Sequence, residues 1–234
     1  MVFSMMPSVV DLWVRQTSAV LADNAGAGAT LQDSVLDHVE RQRWDRFADV
    51  DAARSYAAGH LLARTQIGRL LSHNPATLRF DRTCDDCGEQ HGRPRLLDDP
   101  SVHLSLSRTP SLVAVALSRS GPVGVDVEPH AAASFAGYVE VALHPDDRAF
   151  DADGRRDQPS SDVTAWVRKE AALKALGVGL RVDPASVRTP STGLSEELVA
   201  GLPRVTVVDV PVDDAYAVAV AVALGPGVVE VRQH

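Results

Sequence analysis

Apolar and polar positions alternate most clearly in "GPVGVDVEP", Gly121 to Pro129, where Val123, Val125 and Val127 interleave with Gly124, Asp126 and Glu128. Strand side chains point alternately to opposite faces, so the valines share one face and the two carboxylates the other. For an isolated Asp-x-Glu on a strand, a solvated face is the ordinary reading. "VVDLWVRQT" near the start, "VHLSLS", "LVAVALS", "RVTVVDV" and "AYAVAVAVAL" also read as strands, and "RSG" turns the third of these into the Asp-Glu strand. The first strand is followed by the small-residue loop "ADNAGAGAT". A helical period appears where Leu31, Val35 and Val39 recur, and again where Ala57, Leu61 and Leu62 anchor "DAARSYAAGHLLARTQIGRLL". After a turn-rich stretch from Asn74 to Pro100, the last helical pattern runs from about Ser161 to Leu176, with Gly177 as its C′ residue.

Strand, helices, strands thus occur twice, on either side of about residue 121. The expected fold is α+β: two similar halves with antiparallel sheets, residues 1–121 and 122–234, related by a pseudo-twofold. A cleft between them is the natural place for a ligand.

The helix "SDVTAWVRKEAALKALG" carries a second anomaly. Val163, Trp166, Val167 and Leu173 define its apolar stripe, yet Glu170 and Lys174, four apart, project along the middle of it. On an exposed face such a pair is ordinary decoration; on a core-facing stripe it snorkels to water at the rim or lines a cleft. Lys169 lies off the stripe centre, within reach of the same cleft edge. Asp126, Glu128 and Glu170 offer only oxygen ligands, which suits a hard cation such as Mg²⁺, and Lys174 then meets phosphate charge. The residues themselves point to phosphate-ester or pyrophosphate chemistry without identifying the substrate.

Composition sharpens this. The 234 residues are 45% hydrophobic and 23% charged, as in an ordinary globular protein, with a net charge of −8. That balance argues against nucleic-acid binding by bulk attraction, so an anionic ligand needs a local basic cluster. No stretch has the ~20 uninterrupted apolar residues of a membrane span, and the start lacks a signal peptide's basic flank. The expectation is a cytoplasmic protein with no membrane or nucleic-acid partner. The two cysteines, Cys84 and Cys87, lie in "CDDCGEQH" with His91 close by. A structural zinc site wants four ligands and no second cysteine pair exists. A tight glycine turn is the simpler reading, a metal knuckle completed by distant residues the alternative, and no metal is assigned there.

"VGVDVEP", followed 40 residues after Asp126 by "WVRKEAALKALG", resembles the paired signature of the Sfp-type 4′-phosphopantetheinyl transferases. "DAARSYAAGHLLAR" resembles the family's basic N-terminal helix, "HGRPRL" its G-[KR]-P loop and "LSLSR" its short strand before the signature. The resemblance implies transfer of the phosphopantetheine arm of coenzyme A to a serine of an apo acyl or peptidyl carrier protein, releasing 3′,5′-ADP. It implies that Asp126, Glu128 and Glu170 hold Mg²⁺, with Mn²⁺ able to substitute. Glu170 helps deprotonate the serine, Lys174 stabilises the pyrophosphate or leaving group, and Lys169 contacts phosphate. Arg54 and Arg93 match family positions that bind coenzyme A phosphates, and Arg41 or Arg43 correspond to further basic contacts. Ser107 matches the serine of a Ser-His pair whose histidine is here Arg108, a charge permanent at all relevant pH. Asp147 falls near a further family acid.

A monomer is expected, serving carriers of fatty acid, polyketide or nonribosomal peptide synthesis, antibiotic biosynthesis included. Apolar Phe135, Tyr138, Val139 and Leu143 are candidate carrier contacts, unless they simply pack their segment onto the sheet. A magnesium-dependent phosphodiesterase or pyrophosphate hydrolase, and a non-catalytic carrier-binding module, stand as the alternatives.

Overall fold

A computed structural model describes residues 7–24, 35–134, 137–147, 159–223 and 227–234. In chain order the elements are β1 (Ser8–Gln16), α1 (Thr17–Asn24), α2 (His38–Trp44), α3 (Val50–Leu71), β2 (Phe80–Asp81), β3 (Arg95–Leu96), β4 (His103–Arg108), β5 (Leu112–Ser118) and β6 (Val123–Pro129). Then follow α4 (Tyr138–Ala142), α5 (Pro159–Leu176), β7 (Ser195–Glu196), β8 (Val205–Asp209), β9 (Tyr216–Ala223) and β10 (Val229–Gln233). The first strand runs straight into α1, where a loop was expected; the rest of that stretch and Leu31 lie outside the described residues.

Two four-stranded sheets form, in the orders β10-β1-β5-β4 and β6-β9-β8-β7. The expected α+β fold with antiparallel sheets in separate halves is present. All named pairings within these sheets are antiparallel except β1 with β10, which are parallel. β10, not foreseen as a strand, carries the C-terminal end back to the first sheet.

Alternation along the strands sorts the core into layers. Val113, Val115 and Leu117 of β5 face α3 and join Ala57, Ala58, Leu61 and Ile67. Leu112, Ala114 and Ala116 of the same strand face the second sheet, meeting Val123, Val125 and Val127 of β6 and Val218, Val220 and Val222 of β9. On the far side, Val163, Val167, Ala171 and Ala175 of α5 pack on Ala217, Ala219 and Ala221. The order is therefore helix, sheet, sheet, helix, with a dry valine layer at its centre. Burying each such side chain contributes about 1.5–3 kcal/mol.

A buried ionic network fixes the first half. Asp37 caps α2 in a capping box with Glu40. Glu40, 1% exposed, accepts from Arg64 (2.7 Å), Arg82 (2.5 Å) and His60 (3.0 Å), and Asp37 accepts from both arginines. Burial opposes the Glu40 charge, but His60 and Arg64 prevail and hold its carboxyl at about 2. The network ties α2 to α3 and to the residue after β2.

Tyr138 and Leu143 are buried, 6% and 1% exposed, and pack with Trp166. They hold their segment in place and are not available to a partner; Phe135 lies outside the described residues. Among the described residues no helix is long and apolar enough to cross a membrane.

β6 and α5 approach closely at Gly124, where a Cβ would overlap the Ala171 carbonyl oxygen and lie 2.7 Å from the Ala175 amide. Both obstacles are backbone and cannot swing away. Gly124→Ala should destabilise the fold by about 1–3 kcal/mol, the usual cost of overpacking, read from urea unfolding. An unchanged midpoint would show that α5 rides more loosely on β6.

Candidate active site

The non-valine face of β6, open to solvent if the strand stood alone, lies beneath α5. Asp126 is 3% exposed, and Glu128 and Glu170 are partly buried. Asp126 Oδ1 accepts from Lys174 Nζ at 2.6 Å and from Ser107 Oγ at 2.7 Å. The structure thus brings Asp126, Glu128, Glu170, Lys174 and Ser107 together, from three separate segments.

β6 is an edge strand, and side chains close its outer edge. Ser105 Oγ accepts from Val125 N (3.1 Å) and Ser107 Oγ from Val127 N (3.3 Å). Lys174 donates to Val125 O at 3.1 Å, and Arg93 donates to Val123 O and Ala175 O at 3.2 and 3.3 Å. These bonds satisfy an edge that a further strand would otherwise pair. They also seat the first sheet's edge strand, β4, against the second sheet's edge, β6.

The negative charge is under-compensated. Burial, reinforced by Asp126, pushes the Glu128 carboxyl up to about 7, with Lys174 opposing; burial and Asp126 also raise Glu170. Asp126 Oδ2 and Glu170 Oε1 are buried with no hydrogen-bond partner. Unpaired buried carboxylate oxygens are costly, and an all-oxygen donor set fits a hard divalent cation. Asp126, Glu128 and Glu170 offer such a donor set. Their oxygens have not drawn together as a set: among the described residues, the group whose ligand atoms already lie within 4.8 Å of one another is Cys84, Cys87 and His91.

Beside the acids lies a basic cleft. A cavity of about 260 Å³ is lined by Arg43, Arg82, Arg108 and Lys174, together with Tyr56 and His60. A neighbouring cavity of about 650 Å³ shares Arg43 and Arg108 and adds Arg46. Arg82 is spent on Glu40 and Asp37, whereas Arg43 and Arg108 have no carboxylate partner among the described residues. Arg108 lies over the rings of Phe47 and Tyr56, 5.2 and 5.5 Å from their centroids, which orients the guanidinium without neutralising it. Lys174 touches both the acids and this cleft. Anion recognition beside a carboxylate cluster is what the arrangement offers.

Five residues stand elsewhere than expected. Lys169 is wholly buried away from the cleft edge. It donates to Ala142 O and Pro184 O at 3.1 and 3.2 Å and pairs with Asp147 at 3.1 Å. Asp147 in turn accepts from Thr189 N and Oγ1 at 2.8 Å, so neither joins the acids. Arg54 is exposed on α3 and lines neither cavity. Arg93 is engaged with the β6 and α5 carbonyls, and Arg41 with Leu36 O at 2.6 Å. Sequence reasoning missed Tyr56, His60 and Arg82 as cleft residues. Tyr56 and His60, four apart on α3, share a face, but that spacing reads as core.

A raised carboxyl has a definite stability signature. With Glu128 at 4.5 unfolded and about 7 folded, the native state binds the extra proton between those values, so stability falls as pH rises through that window. In metal-free buffer, wild type should lose about 1–3 kcal/mol relative to Glu128→Gln across it. Denaturant unfolding at several pH values measures this; a flat difference would mean an ordinary, well-solvated carboxylate.

No curated protein matches the chain. Residues 122–221 match the family model of the 4′-phosphopantetheinyl transferase superfamily (ACPS), fewer than half of the 234 residues but including Asp126, Glu128, Glu170 and Lys174. What this span is similar to is a transferase of the phosphopantetheinyl type, and it holds the whole acidic cluster.

Proposed function

We propose that the protein transfers the 4′-phosphopantetheine arm of coenzyme A to a serine of an apo acyl or peptidyl carrier protein, releasing 3′,5′-ADP, as an Sfp-type enzyme would. The observation that carries this reading is the meeting of Asp126, Glu128, Glu170 and Lys174, within the span that matches the superfamily, beside a cleft lined by Arg43 and Arg108.

The carrier serine oxygen forms a bond to the phosphorus that bears pantetheine, and the bond from that phosphorus to the 3′,5′-ADP oxygen breaks. Glu170 takes the serine proton; burial and Asp126 raise its pKa, which makes it a stronger proton acceptor. Lys174 meets the charge that grows on the departing pyrophosphate oxygen. Arg108 and Arg43 hold the phosphates of the nucleotide end. Mg²⁺, held by Asp126, Glu128 and Glu170, supplies further neutralisation of the pyrophosphate when bound, and Mn²⁺ can take its place. Positioning and charge stabilisation suffice for such a displacement without a covalent nucleophile. A cytoplasmic setting goes with this reading, Cys84 and Cys87 being free thiols.

The test is intact-mass spectrometry of apo carrier domains incubated with the protein, coenzyme A and Mg²⁺. One phosphopantetheine should be added per carrier. Lys174→Ala should slow the transfer roughly 10²–10³-fold, the loss typical of one electrostatic donor, and Asp126→Ala should abolish it. Coenzyme A cleavage without a carrier would identify a hydrolase instead. Saturable carrier binding with no added mass would identify a binding module.

A further inference from the structure

The loop between β2 and β3 carries a second cluster, of different chemistry from the acids. Cys84 Sγ, Cys87 Sγ and a ring nitrogen of His91 all lie within 4.8 Å of one another, with Cys87 Sγ 3.0 Å from His91 Nε2. The backbone is shaped to this end. Gly88, at φ +77°, lets the chain turn after the cysteine pair, and Cys84 pairs with both Gly88 N (2.9 Å) and Glu89 O (2.8 Å) through its own backbone. Gly92 then brings the chain back so closely that a Cβ there would lie 2.6 Å from Thr83 O and 2.9 Å from Cys84 Cα. That approach folds His91 back over the cysteines.

Two acids of the loop are engaged with arginines. Asp85 pairs with Arg95 at 2.8 Å and Asp86 with Arg181 at 3.0 Å. Two thiols and one imidazole remain, a soft donor set that selects Zn²⁺ and not Mg²⁺. Cys87 and His91 are exposed, so the fourth tetrahedral position faces solvent. The sequence suggested that a knuckle here would need distant residues, but one loop supplies three converging ligands by itself.

We propose that Cys84, Cys87 and His91 bind one Zn²⁺ per chain, with solvent in the fourth position, and that the ion fixes the loop as a wall of the basic cleft. His91 and Gln90 line both cavities, Gly92 lines the smaller with Lys174, and the next residue, Arg93, bolts the loop to β6 and α5. A metal in the loop thereby sets the width of the cleft without touching the reacting atoms.

The test starts with zinc content by atomic emission, on full-length protein purified without a metal-affinity tag or chelator. One zinc per chain is expected. Cys84→Ser and Cys87→Ser should each retain less than a tenth of it, and Asp126→Asn all of it. His91→Ala should weaken binding at least tenfold, since even an outer-shell partner costs about that much. Co²⁺ added to the stripped wild type should give thiolate charge-transfer and tetrahedral absorption. Hydrogen exchange of the amides of residues 83–92 should slow at least tenfold when Zn²⁺ is restored, a readout that needs no substituted protein. A Cys84–Cys87 disulfide in zinc-replete protein, zinc content indifferent to the cysteine substitutions, or Co²⁺ without thiolate absorption would each overturn the site. Unchanged exchange would overturn the wall.

Discussion

Two backbones meet where Gly124 lies under Ala171, and the geometry of the site follows from that contact. With no side chain on Gly124, α5 settles directly on β6. Glu170 and Lys174 then stand over Asp126 and Glu128, not out in solvent. The same approach lets Lys174 reach both the Asp126 carboxylate and the Val125 carbonyl. A strand edge that a neighbouring strand would otherwise close is instead closed by the side chains of β4, α5 and the loop after β2. The residues that stabilise the junction are therefore the ones that shape the cleft.

This closure sets up an electrostatic imbalance. Three carboxylates gather in a partly dehydrated space against one lysine, and two of their oxygens have no hydrogen-bond partner. Burial and Asp126 push the Glu128 carboxyl up to about 7, which eases the imbalance, and the valine layer packs the opposite face of β6. In the cleft that Lys174 shares, the balance reverses, with Arg43 and Arg108 lacking a carboxylate partner among the described residues. Negative and positive surplus side by side suits a ligand carrying both a divalent cation and phosphates. The −8 net charge of the whole chain hides this local basic cleft.

Much of this was legible in the residues. Alternation in β6 correctly separated the valine face from the acid face, and the four-residue spacing of Glu170 and Lys174 placed both on the side of α5 that meets the strand. Periodicity could not show what covers the acid face, because a solvated face and a helix-capped face have the same pattern. Lys169 is the instructive failure. One residue from Glu170 it reads as a cleft lysine, yet the 100° step turns it toward Asp147, whose distance along the chain gives no local signal. Glu40, Arg64 and Arg82 look like surface charges for the same reason: their burial depends on partners 24 and 42 residues apart. β10 was missed because a short terminal strand is defined by its pairing with β1, not by its own pattern.

The central claim is that the acids of β6 and α5 form one cation site completed by phosphates. Calorimetric titration of Mn²⁺, a cation that prefers oxygen ligands, tests it most directly on metal-stripped protein with and without coenzyme A. Wild type should bind one ion at this site, more tightly when coenzyme A is present. An Asp126→Asn/Glu170→Gln double variant that still unfolds cooperatively should lose at least about tenfold in affinity. Equal Mn²⁺ affinity in the two proteins, or a wild-type affinity indifferent to coenzyme A, would contradict the account.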